Sequence, residues 1–357
     1  MKIFEFNPGI GSFSSGFEKF GPFEVTQVQN ISPEEAFAYN IIHKHQFSRN
    51  NSQFINEKRL KKHDLAILKP DFGILMTQKR FKDINLDQLW SCLAYLKAHQ
   101  PKIAIIITPT SVIKSLNMAF GYVTDGFNMV SKDIVIESMQ KSGYMAWQLV
   151  VNQVQCGVPM YYPVNFYIAV RNDQGNIDEM NTPKIHYGIS KGKMPYTTIS
   201  DALSDLPGEG NDYAYYAHIP KNSYQAWCRQ YSKTEITLNR PKNEPDSITK
   251  CLSNVKQGVP LSKVDDIKEN KGKRAIYNRP ADIGYNFHLI KGNGACIHPL
   301  YPRAFTLREG ARLHGLQDHI NFPTHISEKR IAEIIHQSIS PLTASYVLGI
   351  IKPYIHP

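Results

Sequence analysis

Pro8-Gly-Ile-Gly11 follows a short apolar run and precedes Phe13-Ser-Ser-Gly-Phe-Glu-Lys-Phe-Gly21, the order of a strand, a glycine turn and a helix. Such a turn lets a ligand approach backbone N–H groups at a helix N-terminus, and a tight strand-to-helix connection uses glycine in the same way. Five cysteines, Cys92, Cys156, Cys228, Cys251 and Cys296, are the candidate nucleophiles. Cys156 adjoins Gly157 and Cys296 lies two residues after Gly294, so either could stand on a turn. A buried thiol that simply packs as a small hydrophobe is the commoner case. Their odd number, their scatter and the lack of any C-x-x-C spacing argue against a disulfide framework or a zinc site, and no metal is expected. Lys268, Lys271, Lys273, Arg274 and Arg279 form a basic cluster. It fits a polyanion, or else it is a solvated face.

The elements that would position these residues fall into two textures. From Ile3 to about Arg171, short apolar runs alternate with amphipathic stretches, the pattern of βα units around a mostly parallel sheet. Asp64-Leu-Ala-Ile-Leu68, Ile103-Ala-Ile-Ile-Ile107 and Phe166-Tyr-Ile-Ala-Val170 read as buried strands, with a helix over Leu86 to His99. From about Asn172 to Pro299 the chain is polar and rich in Gly, Pro, Asn, Lys and scattered Tyr, which predicts a smaller, irregular domain. A helical pattern resumes at Thr306 to Leu316, and Ile331 to Ile351 is apolar enough to dock on the first domain.

With 357 residues, 42% of them hydrophobic and 20% charged, the chain is long enough for two domains or one large α/β domain with an insertion, and its composition excludes disorder and collagen. The strongest apolar runs, Ile103 to Thr108 and Val347 to Ile351, are core-sized, so no membrane partner is expected and the cysteines should be reduced in the cytoplasm. A formal charge of +10 favours a polyanionic partner.

Together with Phe23-Glu-Val25 and Ile31-Ser-Pro-Glu-Glu-Ala36, the glycine turn resembles the start of DNA cytosine-5 methyltransferases. The likeness continues in order through Pro101-Lys102, Gly143 to Arg171 and Ile199-Ser-Asp-Ala-Leu-Ser-Asp-Leu-Pro207. Its most specific segment is Arg303-Ala-Phe-Thr-Leu-Arg-Glu-Gly-Ala-Arg-Leu-His-Gly315, and Ile339-Ser-Pro-Leu-Thr-Ala344 resembles the family's closing helix. The resemblance implies a Rossmann-like methyltransferase domain over 1–171, completed by 325–357, and a target-recognition-like domain over 172–324 that includes the 303–316 helix segment.

The family adds a cysteine thiolate to C6 of a flipped cytosine, engages N3 with a glutamate and methylates C5 from S-adenosylmethionine. Carried over, the cysteine position falls on Asp71, after Pro70, and no cysteine occurs before Cys92. The Glu-Asn-Val motif falls on Ile107, Thr108 and Pro109, and Gly157-Val158-Pro159 is followed by Met160, Tyr162 and Val164 in place of the glutamine and the arginines. On the donor side Gly9 and Gly11 remain, while Asn7, Asn30 and Asn51 replace the adenine-packing aromatic, the ribose-binding acid and the aspartate near adenine.

These departures lead us to expect no bound S-adenosylmethionine and no methyl transfer by the chain alone. The expected role is a degenerate subunit, placed in the cytoplasm or on the nucleoid within a restriction-modification system, that pairs with an active cytosine-5 methyltransferase and contacts double-stranded DNA. Lys271, Lys273, Arg274 and Arg303 would make those contacts, and the Arg308, Glu309 and Arg312 helix would belong to the scaffold holding DNA. The alternatives are a stand-alone DNA-binding or regulatory protein and, at lower weight, an enzyme using Asp71 as its nucleophile, a carboxylate being far weaker toward C6 than a thiolate.

Overall fold

The computed structural model describes residues 1–44, 47, 52–72, 85–110, 122–125, 128–131, 133–174, 195–208, 214–216, 218–232, 234–240, 284–285, 298, 300–301 and 303–355. Three crossovers build its parallel part. Strand β1 (Lys2–Phe6) leads through α1 (Ser12–Phe20) to β2 (Glu24–Gln29), then through α2 (Pro33–His43) to β3 (Leu65–Leu68) and through α3 (Asp87–His99) to β4 (Ile103–Pro109). β1 pairs in parallel with β2 and β3, and β3 with β4.

After a hairpin of β5 (Tyr122–Asp125) and β6 (Asn128–Ser131), the chain passes through α4 (Ile134–Lys141), β7 (Tyr144–Asn152) and β8 (Met160–Tyr161) to β9 (Pro163–Arg171). β9 runs antiparallel to β4, from Ile103 opposite Val170 to Pro109 opposite Val164, and β7 closes the six-stranded order β2-β1-β3-β4-β9-β7. The strand expected at Phe166 to Val170 is therefore present, but it reverses direction. A β7-to-β9 hairpin needs no crossover helix, whereas each parallel pairing does.

The unbroken apolar runs are explained by burial on both faces. Alternate residues of the strands point to opposite sides: Ile3, Ile67 and Ile105 join the side packed by α1, while Phe4, Leu68 and Ile106 join the side packed by Leu89, Leu93 and Leu96 of α3.

The later elements are α5 (Ile199–Leu203), β10 (Ala214–Tyr215), α6 (Ser223–Cys228), β11 (Glu235–Ile236), β12 (Gly284–Tyr285), α7 (Leu307–Leu313), α8 (Glu328–Gln337) and α9 (Pro341–Ile351). Local signals set the helix starts: Ser32 with Glu35, Thr198 with Asp201 and Thr306 with Glu309 are reciprocal capping boxes, and Pro33 and Pro341 occupy first turns. α9 lies directly on α1, where a Cβ on Gly16 would meet the Pro341 carbonyl at 2.5 Å and Ala344 Cβ at 2.6 Å.

By length and composition the stretch Glu328–Tyr354 is apolar enough to cross a membrane, more than the apolar runs alone had indicated. It is broken between α8 and α9 at Ser338 to Ser340, and 72% of its most apolar window is buried within the fold. It is built as a pair of core helices.

Candidate donor and base site

At the C-terminal end of β1 the chain turns through Asn7 (φ 54°), Gly9 (φ 62°) and Gly11 (φ 71°) into α1. Asn7 occupies the left-handed region that Asn tolerates better than other side chains. Its backbone N–H donates to the Gln29 carbonyl at 2.9 Å and its Nδ2 to the Lys69 carbonyl at 2.8 Å. Asn30, just past β2, has φ 58°. Asn7 and Asn30, two of the three asparagines that stand where the resemblance places ligand contacts, thus serve sharp turns at strand ends. Gly11 is sterically required, since a Cβ there would lie 2.4 Å from His43 Nε2 and from the Tyr39 ring.

A polar network supports this turn from below. The Tyr39 hydroxyl donates to Glu5, His43 Nδ1 pairs with Glu18 Oε2 at 2.7 Å, and His43 Nε2 meets the Gly11 carbonyl at 3.0 Å. Glu5 is almost wholly buried, and burial raises its carboxyl above the ordinary range despite His43 and Tyr39. The N-terminus of α1 is covered by the segment between α8 and α9, with Ser12 Oγ donating to the Ile339 carbonyl at 2.8 Å.

The cavity between Glu5, Gly9, Ser12, Lys69, Ile107 and Gln337 measures about 20 Å³. That is room for about one water molecule. Lys69, following β3, reaches across it and donates from Nζ to the Gln337 carbonyl at 2.8 Å. Burial lowers its pKa, opposed by Glu35, Asp71 and Glu5. Sequence reasoning missed Lys69. The available signal was a lysine placed immediately after an entirely apolar strand.

Beside this cavity, the positions matched to base chemistry are apolar or spent. Ile107 is 4% exposed and pairs across the sheet with Phe166, and Val164 pairs with Pro109. Phe166 stacks on Phe13 at 5.4 Å, and Met160, Tyr162 and Val164 belong to the same core cluster. Thr108 is buried and its Oγ1 accepts from Asn165 Nδ2 at 2.8 Å. Tyr162 is edge-on to the His314 ring at 5.9 Å and tilted against His336 at 6.0 Å. Asp71 is exposed, its backbone N–H donating to Gln88 Oε1 at 2.7 Å.

The thiols described fit packing. Burial raises all three: Cys92 and Cys228 are enclosed, and Cys156 is pushed up to about 12. Cys251, Cys296, Asn51, Lys271, Lys273 and Arg274 lie outside the described residues.

Within the 303–316 segment, Arg303 is placed differently from expectation, whereas Arg308 and Arg312 lie in an internal scaffold. Arg303 makes a fork onto Glu309, with both contacts at 2.8 Å, and donates to the Gly208 carbonyl at 2.9 Å. Its guanidinium, expected to face DNA, is committed internally and its side chain is only 11% exposed. Burial alone would raise the Glu309 carboxyl, yet Arg303, His298 and the Thr306 amide together hold it below the usual range.

Arg308 and Arg312 are fully buried. Arg312 pairs with Asp318 at 2.6 Å and with Asp205, and donates to the Ala202 carbonyl at 2.7 Å. Arg308 donates to the carbonyls of Thr237 at 3.0 Å and Ile320 at 2.8 Å. α7 is therefore an internal joint and offers DNA none of these charges, because its donors are consumed by carboxylates and carbonyls.

The family model for the C-5 cytosine-specific DNA methylase matches residues 1–352. The Type II methyltransferase M.DdeI of Desulfomicrobium norvegicum is 24% identical over 96% of this chain and 86% of its own length. M.BspRI of Lysinibacillus sphaericus is 28% identical over 42% of this chain and 32% of its own. Among solved structures, a putative DNA modification methyltransferase encoded within a prophage of E. coli superposes with a TM-score of 0.71 at 16% identity, covering 99% of this chain and 98% of the other. The Entamoeba histolytica methyltransferase EhMeth superposes at 0.61 with 14% identity over essentially both full chains. With an α/β sheet matching these neighbours and the family model spanning nearly the whole sequence, this chain belongs to the C-5 cytosine-specific DNA methylase family.

Proposed function

We propose that this chain is a non-catalytic, DNA-binding subunit of a heteromeric DNA cytosine-5 methyltransferase. The observation that carries the reading is that Ile107 and Val164, at positions where the family pattern has charged partners for a flipped cytosine, are buried in an apolar core, with Ile107 paired to Phe166 across the sheet. Addition to cytosine C6 needs a thiolate and a group able to engage N3. An isoleucine offers neither charge nor hydrogen bond, and no cysteine stands before position 92.

The donor side supports the same reading. Lys69 reaches across the cavity beside the glycine turn and donates to the Gln337 carbonyl at 2.8 Å, so its ammonium stands where the resemblance places a cationic methyl donor. Family membership makes double-stranded DNA the partner to consider. The +10 charge favours that polyanion, which supports a location with DNA, in the cytoplasm or on the nucleoid.

The test is methyl transfer to duplex DNA by the purified chain, by any cytosine-5 methyltransferase encoded beside it, and by the two co-expressed. The chain alone transfers nothing. The neighbour's activity or DNA affinity falls at least about tenfold without it, a coupling of about 1.4 kcal/mol. Transfer by this chain alone removes the proposal. A neighbour that methylates equally well alone and forms no complex on gel filtration leaves the stand-alone DNA-binding reading in its place.

A further inference from the structure

The donor cavity still has acidic walls. Glu5 and Glu35 are buried, and with Asp71 they are the carboxylates acting on the charge of Lys69. A methyl-donating sulfonium carries a positive charge into such a place, and here the chain supplies its own.

The ammonium of Lys69 ends on the carbonyl of Gln337, the last residue of α8. Carbonyls in the final turn of a helix have no intrahelical partner and mark the negative end of its dipole, so a cation there satisfies an orphan acceptor and an electrostatic preference together. Ser338 Oγ then donates back to the Ile334 carbonyl at 2.8 Å. Ser340, the N-cap of α9, donates its backbone N–H to Gln153 Oε1 at 2.9 Å. The α8-to-α9 turn is thus held over the sheet entirely by the chain's own groups. Gly9, whose φ of 62° suits glycine, lies beside this contact, a Cβ there standing 3.8 Å from Lys69 Nζ at ordinary contact distance.

We propose that Lys69 is an internal cation filling the donor pocket, and that its bond to Gln337 latches α8 and α9 onto the sheet without any ligand. The idea rests on the non-catalytic reading and extends it: the pocket has been converted from a ligand site into a structural tie.

Three measurements on the full chain test it. Amine acylation followed by peptide mass spectrometry should modify Lys69 at least about tenfold more slowly than the exposed Lys58 and Lys329, since exchange and modification follow local opening. Equal rates overturn the latch, and this measurement needs no variant. Hydrogen exchange of residues 334–340 should speed up at least about tenfold in Lys69→Met, which keeps the stem and removes the donor, and in Lys69→Gly. Unchanged exchange in both overturns it.

Millimolar S-adenosylmethionine should leave the melting temperature of the wild type where it is, whereas a ligand bound at a hundred times its Kd stabilises by about 2.7 kcal/mol. Stabilisation by the donor overturns the filled pocket. Methyl transfer by the chain alone would remove the non-catalytic reading. A failed latch in a chain that transfers nothing would remove only the latch.

Discussion

At the C-terminal end of β4 and the facing start of β9, Ile107, Val164 and Phe166 meet with no charge among them. Around α7, Arg303, Arg308 and Arg312 are buried or nearly so against Glu309, Asp205, Asp318 and a set of carbonyls. Both regions belong to segments that resemble the methyltransferase pattern, and only the second has kept its ionic residues. A buried charge survives where every donor finds an acceptor, because desolvation costs several kcal/mol per ion and only full pairing offsets it. Catalytic charges exist for a substrate. A charge with no partner has no compensation for its desolvation, and apolar residues of similar volume fill such a place more stably.

The largest effect should come from breaking the ionic region. Arg312→Met removes the cation that Asp205 and Asp318 share, leaving Asp318 with the Tyr216 hydroxyl and Asp205 with Arg229 at 3.4 Å, and urea unfolding should show a loss of about 3 kcal/mol. A loss under about 1 kcal/mol would mean the pairing does not hold this joint.

Charging the apolar region comes next. Ile107→Glu puts the family's carboxylate back into a neighbourhood of Phe13, Val164 and Phe166, and should cost on the order of 3 kcal/mol with no gain of methyl transfer, even combined with Asp71→Cys. Turnover dependent on the new cysteine would show that the site still accepts a base.

A smaller effect separates the two regions by pH. His314 is 1% exposed, and burial with His336 beside it lowers its pKa well below 6.5. The unfolded chain therefore takes up that proton first. The contribution of neutral His314 is complete above pH 6.5 and is lost as pH falls below it, by up to about 1.4 kcal/mol per pH unit. Urea midpoints should fall between pH 7 and pH 5, less steeply in His314→Phe. The Glu309 and Asp318 carboxyls lie below their ordinary values, so the ionic region should weaken only under more acid conditions, as pH falls below about 4.

The smallest effect on stability and the clearest on DNA concerns the basic cluster. Replacing Lys271, Lys273 and Arg274 by alanine should change unfolding by less than about 0.5 kcal/mol. The logarithmic salt slope of DNA binding should fall by about 0.9 for each phosphate that is no longer neutralised. An unchanged slope would make the cluster a solvated face.

The parallel core was legible because periodicity and turn chemistry are local. Apolar runs at Leu65–Leu68 and Ile103–Pro109, the Gly9 and Gly11 turn and the helix after Leu86 all appear where the pattern placed them. The reversal of β9 was not legible, since strand direction depends on which neighbour it joins.

The fates of the charged residues were the least legible. Arg303 read as a DNA contact because arginine is usually exposed, and Arg308 and Arg312 read only as part of a scaffold helix whose partners the sequence did not name. Their partners lie elsewhere in the chain, Asp205 being 107 positions from Arg312, and Arg308 meets Thr237 across 71. Lys69 likewise reaches Gln337 across 268 positions. The order of residues by itself determined the family, the sheet-forming segments and the absence of a cysteine before position 92. Only the tertiary structure decided which charges face water and which are spent inside, because that depends on acceptors brought together by folding over separations that no local pattern encodes.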